Sequence, residues 1–320
     1  MTSLRAVPHG IEYLSIEKTE RVHRLRDAVS SVFRGDGFQE IIPPLIDYAS
    51  TFQLADRSHG GDNFEFRDSV GEHLALRSDL TVQTLKAALT GRLGHELPAR
   101  FFYVQRVLKD CRPGSGQNRE ILQAGVEWIG YGGEDRFDRL YELACRTLDR
   151  LSRPYGFLYG DARFVEILLS FVPGMDRAEL ADTLYYKDTG RLTELLDRLD
   201  IHGERRDLLL ESPLLVGGAD IMDELRRLCR SFPSLLAIID QAPDQSELIY
   251  DFALVRQLSY YSGPVLEAYL QQSNRRILSG GFYDGLSARF TTRPVPAAGF
   301  AVNLSELIHL PDEGLDPLSQ

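Results

Sequence analysis

The sequence predicts an α+β fold in which helices flank a mixed, mostly antiparallel sheet. Amphipathic runs with helical spacing alternate with short aromatic and β-branched runs that are typical of strands. Two strand-like runs are joined by only a short loop that contains Pro and Gly, which favours a hairpin over a parallel crossover. With 320 residues, of which 43% are hydrophobic, the chain can bury a sizeable core. We expect one domain over residues 1–320.

The first half of the chain is predicted to open with a helix and to continue mainly as strands. Residues 16–33 carry valine and leucine at steps of three or four, as an amphipathic helix does. Strands are predicted at 38–42, 74–76, 100–107 and 120–130, and helices at 80–91 and 137–151. Pro43 and Pro44 end the first of these strands. The loop 109–118 joins two of the strands as a hairpin.

The second half combines a helical segment with further strands. A strand at 157–159 leads into a helix that begins near residue 163. The stretch 176–231 is rich in Leu, Arg and Asp, which predicts a helical insertion. β character returns over 250–269, and ordered structure continues through 280–286. We expect a last helix over 299–308.

Composition excludes several classes of protein. A net charge of −11 argues against a general nucleic-acid binder. No apolar run approaches the ~18 residues of a membrane span, so we expect a cytoplasmic protein without membrane contact. Cys111, Cys145 and Cys229 are isolated, which makes a zinc site or disulfide framework improbable. Neither a phosphate-binding loop nor paired metal-ligand histidines occur, so we expect no cofactor and no metal.

The predicted strand 120–130 carries the first candidate site. Its alternation places Arg119, Gln123 and Glu127 on one face and apolar side chains on the other. This polar face is either solvated or lines a cleft. Gly125 favours the cleft, because a glycine leaves room for a ligand to approach the backbone.

Three further clusters are ambiguous from the residues alone. Asp79 follows Arg77 at a strand-to-helix junction, where it either caps the helix or faces an amine. Tyr260 and Tyr261 stand near Arg256, and two adjacent strand tyrosines usually comprise one core and one surface residue. The glycines of 280–285 permit a tight turn or a close approach to a ligand.

In their order and spacing these motifs resemble the catalytic core of histidyl-tRNA synthetase, a class II aminoacyl-tRNA synthetase. Residues 38–47 resemble the proline-containing motif 1, a dimer-interface element, and 100–130 resemble motif 2. Residues 254–263 and 280–286 resemble the two histidine-specific motifs, and 296–307 resemble motif 3. The resemblance covers about residues 8–310 and implies a class II synthetase-like core.

The resemblance implies a histidine-binding pocket that is largely intact. Asp79 stands where the synthetases have Glu, and Arg256 matches their catalytic Arg. Carboxylates facing an α-ammonium form charge-assisted hydrogen bonds, about twice as strong as neutral ones. The implied histidine-binding residues are Asp79, Thr81, Gln123, Glu127, Arg256, Tyr260 and Tyr261.

The nucleotide side departs from the synthetase pattern. Lys109 replaces the motif 2 Arg that clamps the α-phosphate, and Cys111 replaces an acidic residue, whereas Arg119 is retained. Phe282 replaces the Arg of the second histidine motif. Glu306 replaces the motif 3 Arg, and a carboxylate there repels a triphosphate by about 1–4 kcal/mol. The resemblance therefore implies a degenerate nucleotide site at Lys109, Arg119 and Glu306, with no efficient adenylate formation.

A shortened synthetase-like chain with a degraded nucleotide site resembles the regulatory subunits of ATP phosphoribosyltransferase. Residues 206–228 also resemble the helical middle of that family, and no anticodon-binding domain is expected. The resemblance implies no catalysis by this chain and no nucleic-acid partner. It implies a short catalytic phosphoribosyltransferase subunit as partner, a self-dimer, a hetero-octamer of the two subunits, and L-histidine as a ligand.

Two alternative functions remain open from the sequence. One is a minimal histidine-activating enzyme, in which Lys109, Arg119 and Arg256 suffice without the motif 3 Arg. The other is a ligand-sensing relative of the synthetases that acts on a different partner.

Overall fold

The centre of the fold is an eight-stranded mixed sheet. The structure is a computed structural model that describes residues 7–53, 63–114, 116–254, 260–271 and 275–310. The strand order is β1-β5-β6-β11-β10-β9-β7-β8. The strands are β1 Gln39–Glu40, β5 Ala99–Leu108, β6 Glu120–Ile129, β7 Tyr155–Asp161, β8 Leu248–Tyr250, β9 Pro264–Leu270, β10 Arg276–Phe282 and β11 Ala297–Asn303. Among these, the pairs β1–β5 and β7–β8 at the two ends are parallel and the inner pairs are antiparallel.

A small antiparallel sheet of order β2-β4-β3 lies beside the segment that leads into the third helix. Its strands are β2 Ile46–Tyr48, β3 Glu65–Arg67 and β4 His73–Leu76. The helices are α1 Ile16–Gly35, α2 Ala49–Phe52, α3 Leu80–Leu89, α4 Arg136–Arg150, α5 Ala162–Ser170, α6 Arg177–Tyr185, α7 Thr189–Arg198, α8 Glu204–Glu211, α9 Met222–Leu228, α10 Pro233–Asp240 and α11 Ser305–Ile308.

The large sheet has two different faces. On one face α1, α4, α5 and the helical segment bury the main apolar core, to which β6 contributes Leu122, Ala124, Val126 and Trp128. On the other face α3 packs over the ends of β5 and β6 through Val82 and Leu85. The alternation predicted for 120–130 therefore holds, and its polar face lies on the side of α3.

The structure confirms the α+β class with a mixed, mostly antiparallel sheet flanked by helices. The helix expected over 299–308 is wrong, because 297–303 form the central strand β11 and only the short helix α11 follows. A short apolar run cannot be assigned to helix or strand by periodicity alone. Helical structure also extends past residue 231, since α10 begins at Pro233, a favoured first helical residue.

In the part of the chain that the structure describes, no helix is both long and apolar enough to cross a membrane.

Candidate functional site

A cavity of about 210 Å³ opens on the α3 side of the large sheet. We call it the central cavity. It lies between the start of α3 and the middle of β6, β11 and β10, close to the Tyr260–Tyr261 pair. Of the residues that the sequence predicted for a pocket, five line it: Asp79, Thr81, Gln123, Tyr260 and Tyr261. Lys109, one of the predicted nucleotide-site residues, also lines it.

Asp79 performs the first of the two roles that the sequence left open, and it also reaches the cavity where the second, facing an amine, stays a prediction. It is the N-cap of α3, where its Oδ1 accepts a hydrogen bond from the Val82 amide at 2.9 Å. Its Oδ2 accepts a hydrogen bond from the Tyr260 hydroxyl at 3.3 Å, and the side chain reaches the central cavity. Burial raises the pKa of Asp79, against the lowering effects of the Val82 amide and of Lys109.

Glu127 lies beneath the cavity wall and does not line the open space. It is only 1% exposed. Its Oε1 accepts hydrogen bonds from Thr81 Oγ1 at 2.7 Å and Tyr103 Oη at 3.1 Å, and its Oε2 accepts one from Tyr283 Oη. We call these three groups the hydroxyl cage. Each of the three cage residues lines the central cavity.

Burial raises the pKa of Glu127 to about 8, because the charged form loses hydration that the cage only partly replaces. The cage hydroxyls of Tyr283, Thr81 and Tyr103 oppose this rise, whereas the negative charge of Asp79 adds to it. Burial also raises the pKa values of Tyr103, Tyr260 and Tyr283 well above their ordinary range. All three phenols are therefore neutral hydrogen-bond donors.

Two glycines make the packing around Glu127 possible. A β-carbon at Gly125 would overlap the Tyr103 side chain, and one at Gly299 would overlap the Glu127 carboxylate. The room that Gly125 provides is thus filled by Tyr103, not by an approaching ligand. The prediction that Gly125 leaves room for a ligand is therefore wrong. Gln123, on the same face of β6, nevertheless lines the cavity.

The two tyrosines predicted from the sequence both reach the cavity. Tyr260 is buried and its ring packs 5.0 Å from that of Tyr261 and 5.9 Å from that of Tyr283. Tyr260 is buried and Tyr261 is half-buried, which agrees with the expectation that one of two adjacent tyrosines lies in the core. Arg256 lies outside the described residues, so its predicted role stays a prediction.

Of the predicted nucleotide-site residues, Lys109 and Arg119 are adjacent, since the Lys109 amide donates to the Arg119 carbonyl at 2.8 Å. The side chains of the set do not converge on one site. Arg119 pairs with Asp110 at 2.7 Å and stacks over the Phe64 ring. Glu306 forms an ion pair with Arg275 at 2.6 Å. Neither Arg119 nor Glu306 lines the central cavity, so Lys109 is the member of this set that does.

Sequence reasoning missed several residues of the cavity. Tyr103 and Tyr283 were not singled out, although Tyr103 lies directly across from Gly125 in the β5–β6 pairing. Such a Tyr–Gly pair is a usable signal, because the tyrosine ring can fill the space above the glycine. Arg276 also lines the cavity, and it pairs at 2.6 Å with Glu267, a buried carboxylate of the neighbouring strand.

Arg77 has a structural role. It is buried and donates hydrogen bonds to the carbonyls of Arg106 at 2.6 Å and Pro43 at 2.7 Å, and to the Gln105 side chain at 3.1 Å. It therefore fixes the segment after β1 to strand β5. Five apolar side chains near this segment are exposed, and we call them the motif 1 surface: Ile42, Leu45, Ile46, Tyr48 and Phe66.

Comparison with known proteins gives consistent matches over nearly the whole chain. The profile of the family described as histidyl-tRNA synthetase matches residues 10–307. An ATP phosphoribosyltransferase regulatory subunit of Moorella thermoacetica is 30% identical, over 94% of this chain and 81% of the relative. The protein of the same name from Leptospira interrogans is 29% identical, over 94% of this chain and 92% of the relative.

Solved structures show the same fold. A protein of Bacillus halodurans described as an ATP phosphoribosyltransferase regulatory subunit/histidyl-tRNA synthetase matches with a TM-score of 0.82 at 24% identity, covering 98% of this chain and 85% of its own. A histidyl-tRNA synthetase of Nostoc matches with a TM-score of 0.74 at 19% identity, covering 95% and 74%. The large sheet, α3 and the cavity therefore belong to a histidyl-tRNA synthetase-like class II fold.

Proposed function

The chain belongs to the ATP phosphoribosyltransferase regulatory subunits, which are histidyl-tRNA synthetase-like proteins, and we propose that it activates a short catalytic phosphoribosyltransferase subunit in the cytoplasm. In this role it carries feedback inhibition by histidine to the first step of L-histidine biosynthesis. Feedback requires that histidine bind the inhibited state of the complex more tightly than the active state.

We further propose that L-histidine binds in the central cavity. The observation that carries this proposal is the pair of carboxylates, Asp79 and Glu127, held at and beneath one wall by neutral hydroxyl groups. A cationic amino group at this wall favours the ionised forms of these two groups and gains charge-assisted hydrogen bonds there. Lys109 and Arg276 line the same cavity and suit the ligand's carboxylate. The proposed histidine-binding residues remain Asp79, Thr81, Gln123, Glu127, Arg256, Tyr260 and Tyr261.

The proposed absence of adenylate formation is supported by the charge arrangement. Glu306 neutralises Arg275, and Asp110 neutralises Arg119, so neither arginine presents an unpaired charge to a triphosphate. Phosphoryl-group chemistry depends on such cationic clamps. Histidine-dependent exchange between ATP and pyrophosphate tests the point, and exchange well above the protein-free rate would overturn it.

We propose that the chain dimerises through the motif 1 surface. Ile42 alone is 74% exposed, and clustered exposed apolar side chains of this kind mark interaction sites. A hetero-octamer with the catalytic subunit remains the expectation from the family. Sedimentation of this chain alone and with the catalytic subunit measures the two stoichiometries.

The decisive experiment measures phosphoribosyl-ATP formation by the short catalytic subunit with and without this chain, over a titration of histidine. Activation that histidine reverses is expected. If neither the rate nor the sensitivity to histidine changes, the proposed function is wrong.

The pocket assignment has its own test. Glu127→Ala removes the acceptor of three hydroxyl groups and is expected to abolish histidine binding in calorimetry. Glu120→Ala, at a half-buried ion pair on the same strand, is the control. Unchanged affinity in Glu127→Ala would contradict the assignment.

A further inference from the structure

Glu127 is separated from the central cavity by the groups that bind it. Its carboxylate is buried, and the residues of the hydroxyl cage line the cavity in its place. The carboxylate lies over Gly299 on one side and accepts from α3, β5 and the residue after β10 on the others. A direct contact between Glu127 and a ligand in the cavity would require that one of these side chains move aside.

We propose that Glu127 is a positioning residue that acts through Tyr103, Tyr283 and Thr81, so that this wall of the cavity selects a cationic ligand group that carries only N–H donors. This inference rests on the proposed function, because it concerns how the same cavity would hold histidine.

The argument follows from the number of protons that a hydroxyl group has. A phenol or alcohol has one O–H donor and lone pairs that accept. A cation at this wall favours the ionised form of Glu127, because a nearby positive charge lowers the pKa of a carboxyl group. When the single proton of a hydroxyl is directed to ionised Glu127, its oxygen presents only lone pairs in other directions. Tyr260 directs its proton to Asp79 in the same way. The wall therefore offers several acceptors and no donor from these groups.

Such a wall discriminates by the cost of unmatched polar groups. An ammonium or imidazolium N–H meets an acceptor, whereas a carboxylate oxygen meets lone pairs and is left unpaired in a confined space. The charged groups around Glu127 agree with this polarity, since the negative charge of Asp79 acts on it. The cationic residues Lys109 and Arg276 supply the donors elsewhere in the cavity.

Histidine offers two sources of a cationic N–H group, the α-ammonium and the protonated ring. The test measures calorimetric affinities of the full-length chain for three ligands. They are L-histidine, imidazolepropionate, which lacks the ammonium, and triazolylalanine, whose ring does not become cationic. The proteins are the unmodified chain, Tyr103→Phe and Tyr283→Phe. Tyr159→Phe is the control, since Tyr159 is a buried tyrosine on the opposite face of the sheet.

Each cage variant is expected to lose about tenfold in affinity for L-histidine, as for one hydrogen bond to a charged group. If the wall binds the α-ammonium, imidazolepropionate is expected to bind the cage variants and the unmodified chain equally. If it binds the protonated ring, triazolylalanine is expected to do so. Equal losses for all three ligands, or no loss for histidine, would overturn the inference. If the unmodified chain binds no histidine, the proposed histidine site fails instead.

Glu127→Gln provides a readout that general destabilisation would not produce. A glutamine amide donates hydrogen bonds, so at least one cage hydroxyl must then accept one and direct its own O–H elsewhere. The affinity for histidine is expected to fall by more than tenfold, and its pH dependence between about pH 6 and 9 is expected to change. Thermal unfolding of each variant verifies that it is folded. An unaltered pH profile in folded Glu127→Gln would refute the positioning role.

Discussion

The buried carboxyl of Glu127 makes a quantitative prediction about stability and pH. Below pH 4.5 this group is protonated in both the folded and the unfolded chain, so it contributes no pH dependence. As the pH rises past 4.5, the unfolded chain releases the proton while the folded chain keeps it up to about pH 8. The free energy of unfolding therefore falls with rising pH across this interval. At about 1.4 kcal/mol per unit, the loss is about 3 kcal/mol at pH 7 and up to about 5 kcal/mol above pH 8.

The measurement is urea unfolding of the unmodified chain and of Glu127→Gln at several pH values from about 5 to 9. Trp128 is the only tryptophan, is buried and adjoins Glu127, so its fluorescence reports the transition. The free energy of unfolding of the unmodified chain, minus that of Glu127→Gln, is expected to fall as the pH rises. Glu120→Gln, on the same strand at a half-buried ion pair, controls for the loss of a carboxylate. A difference that stays constant from pH 5 to 9 would refute the reasoning.

Three other substitutions test the packing and the surfaces. Gly125→Ala is expected to displace Tyr103, lowering the melting temperature and weakening histidine binding in calorimetry; unchanged binding would contradict the packing described for Tyr103. Arg77→Ala leaves the carbonyls of Pro43 and Arg106 without their donor and is expected to cost about 2–4 kcal/mol in urea unfolding, and a cost below about 0.5 kcal/mol would be inconsistent with a buried anchor. Ile42→Asp is expected to shift sedimentation toward the monomer, whereas Met175→Asp, at a 94% exposed side chain away from the motif 1 surface, is expected to leave it unchanged; equal behaviour of the two would remove the proposed dimer surface.

The sequence predicted most of the architecture because the main elements have strong local signals. Helix α1 follows its apolar spacing, and Ser15 caps it by accepting from the Lys18 amide. The alternation along β6 correctly separated the core face from the cavity face. These features depend on residues that are close in the chain.

What the sequence could not show depends on contacts between distant residues. The cage around Glu127 draws Thr81, Tyr103 and Tyr283 from three separate elements, and no local pattern relates them. The ion pair between Glu306 and Arg275 likewise depends on how β10 and β11 lie side by side. The strand β11 was mistaken for a helix because, in the centre of a sheet, both of its faces are buried.

Helix α3 gives the chain a direct physical route between its cavity and its surface. Its N-cap Asp79 and the first-turn residue Thr81 lie at the cavity. Further along the helix, Gln83 donates to the Pro44 carbonyl at 3.1 Å and Lys86 binds Asp47 at 2.6 Å, next to the exposed motif 1 surface. A ligand that displaces the start of α3 must therefore move this surface with it or break those bonds. A displacement of α3 at the cavity would therefore reach the surface that we propose as the dimer interface through Gln83 and Lys86.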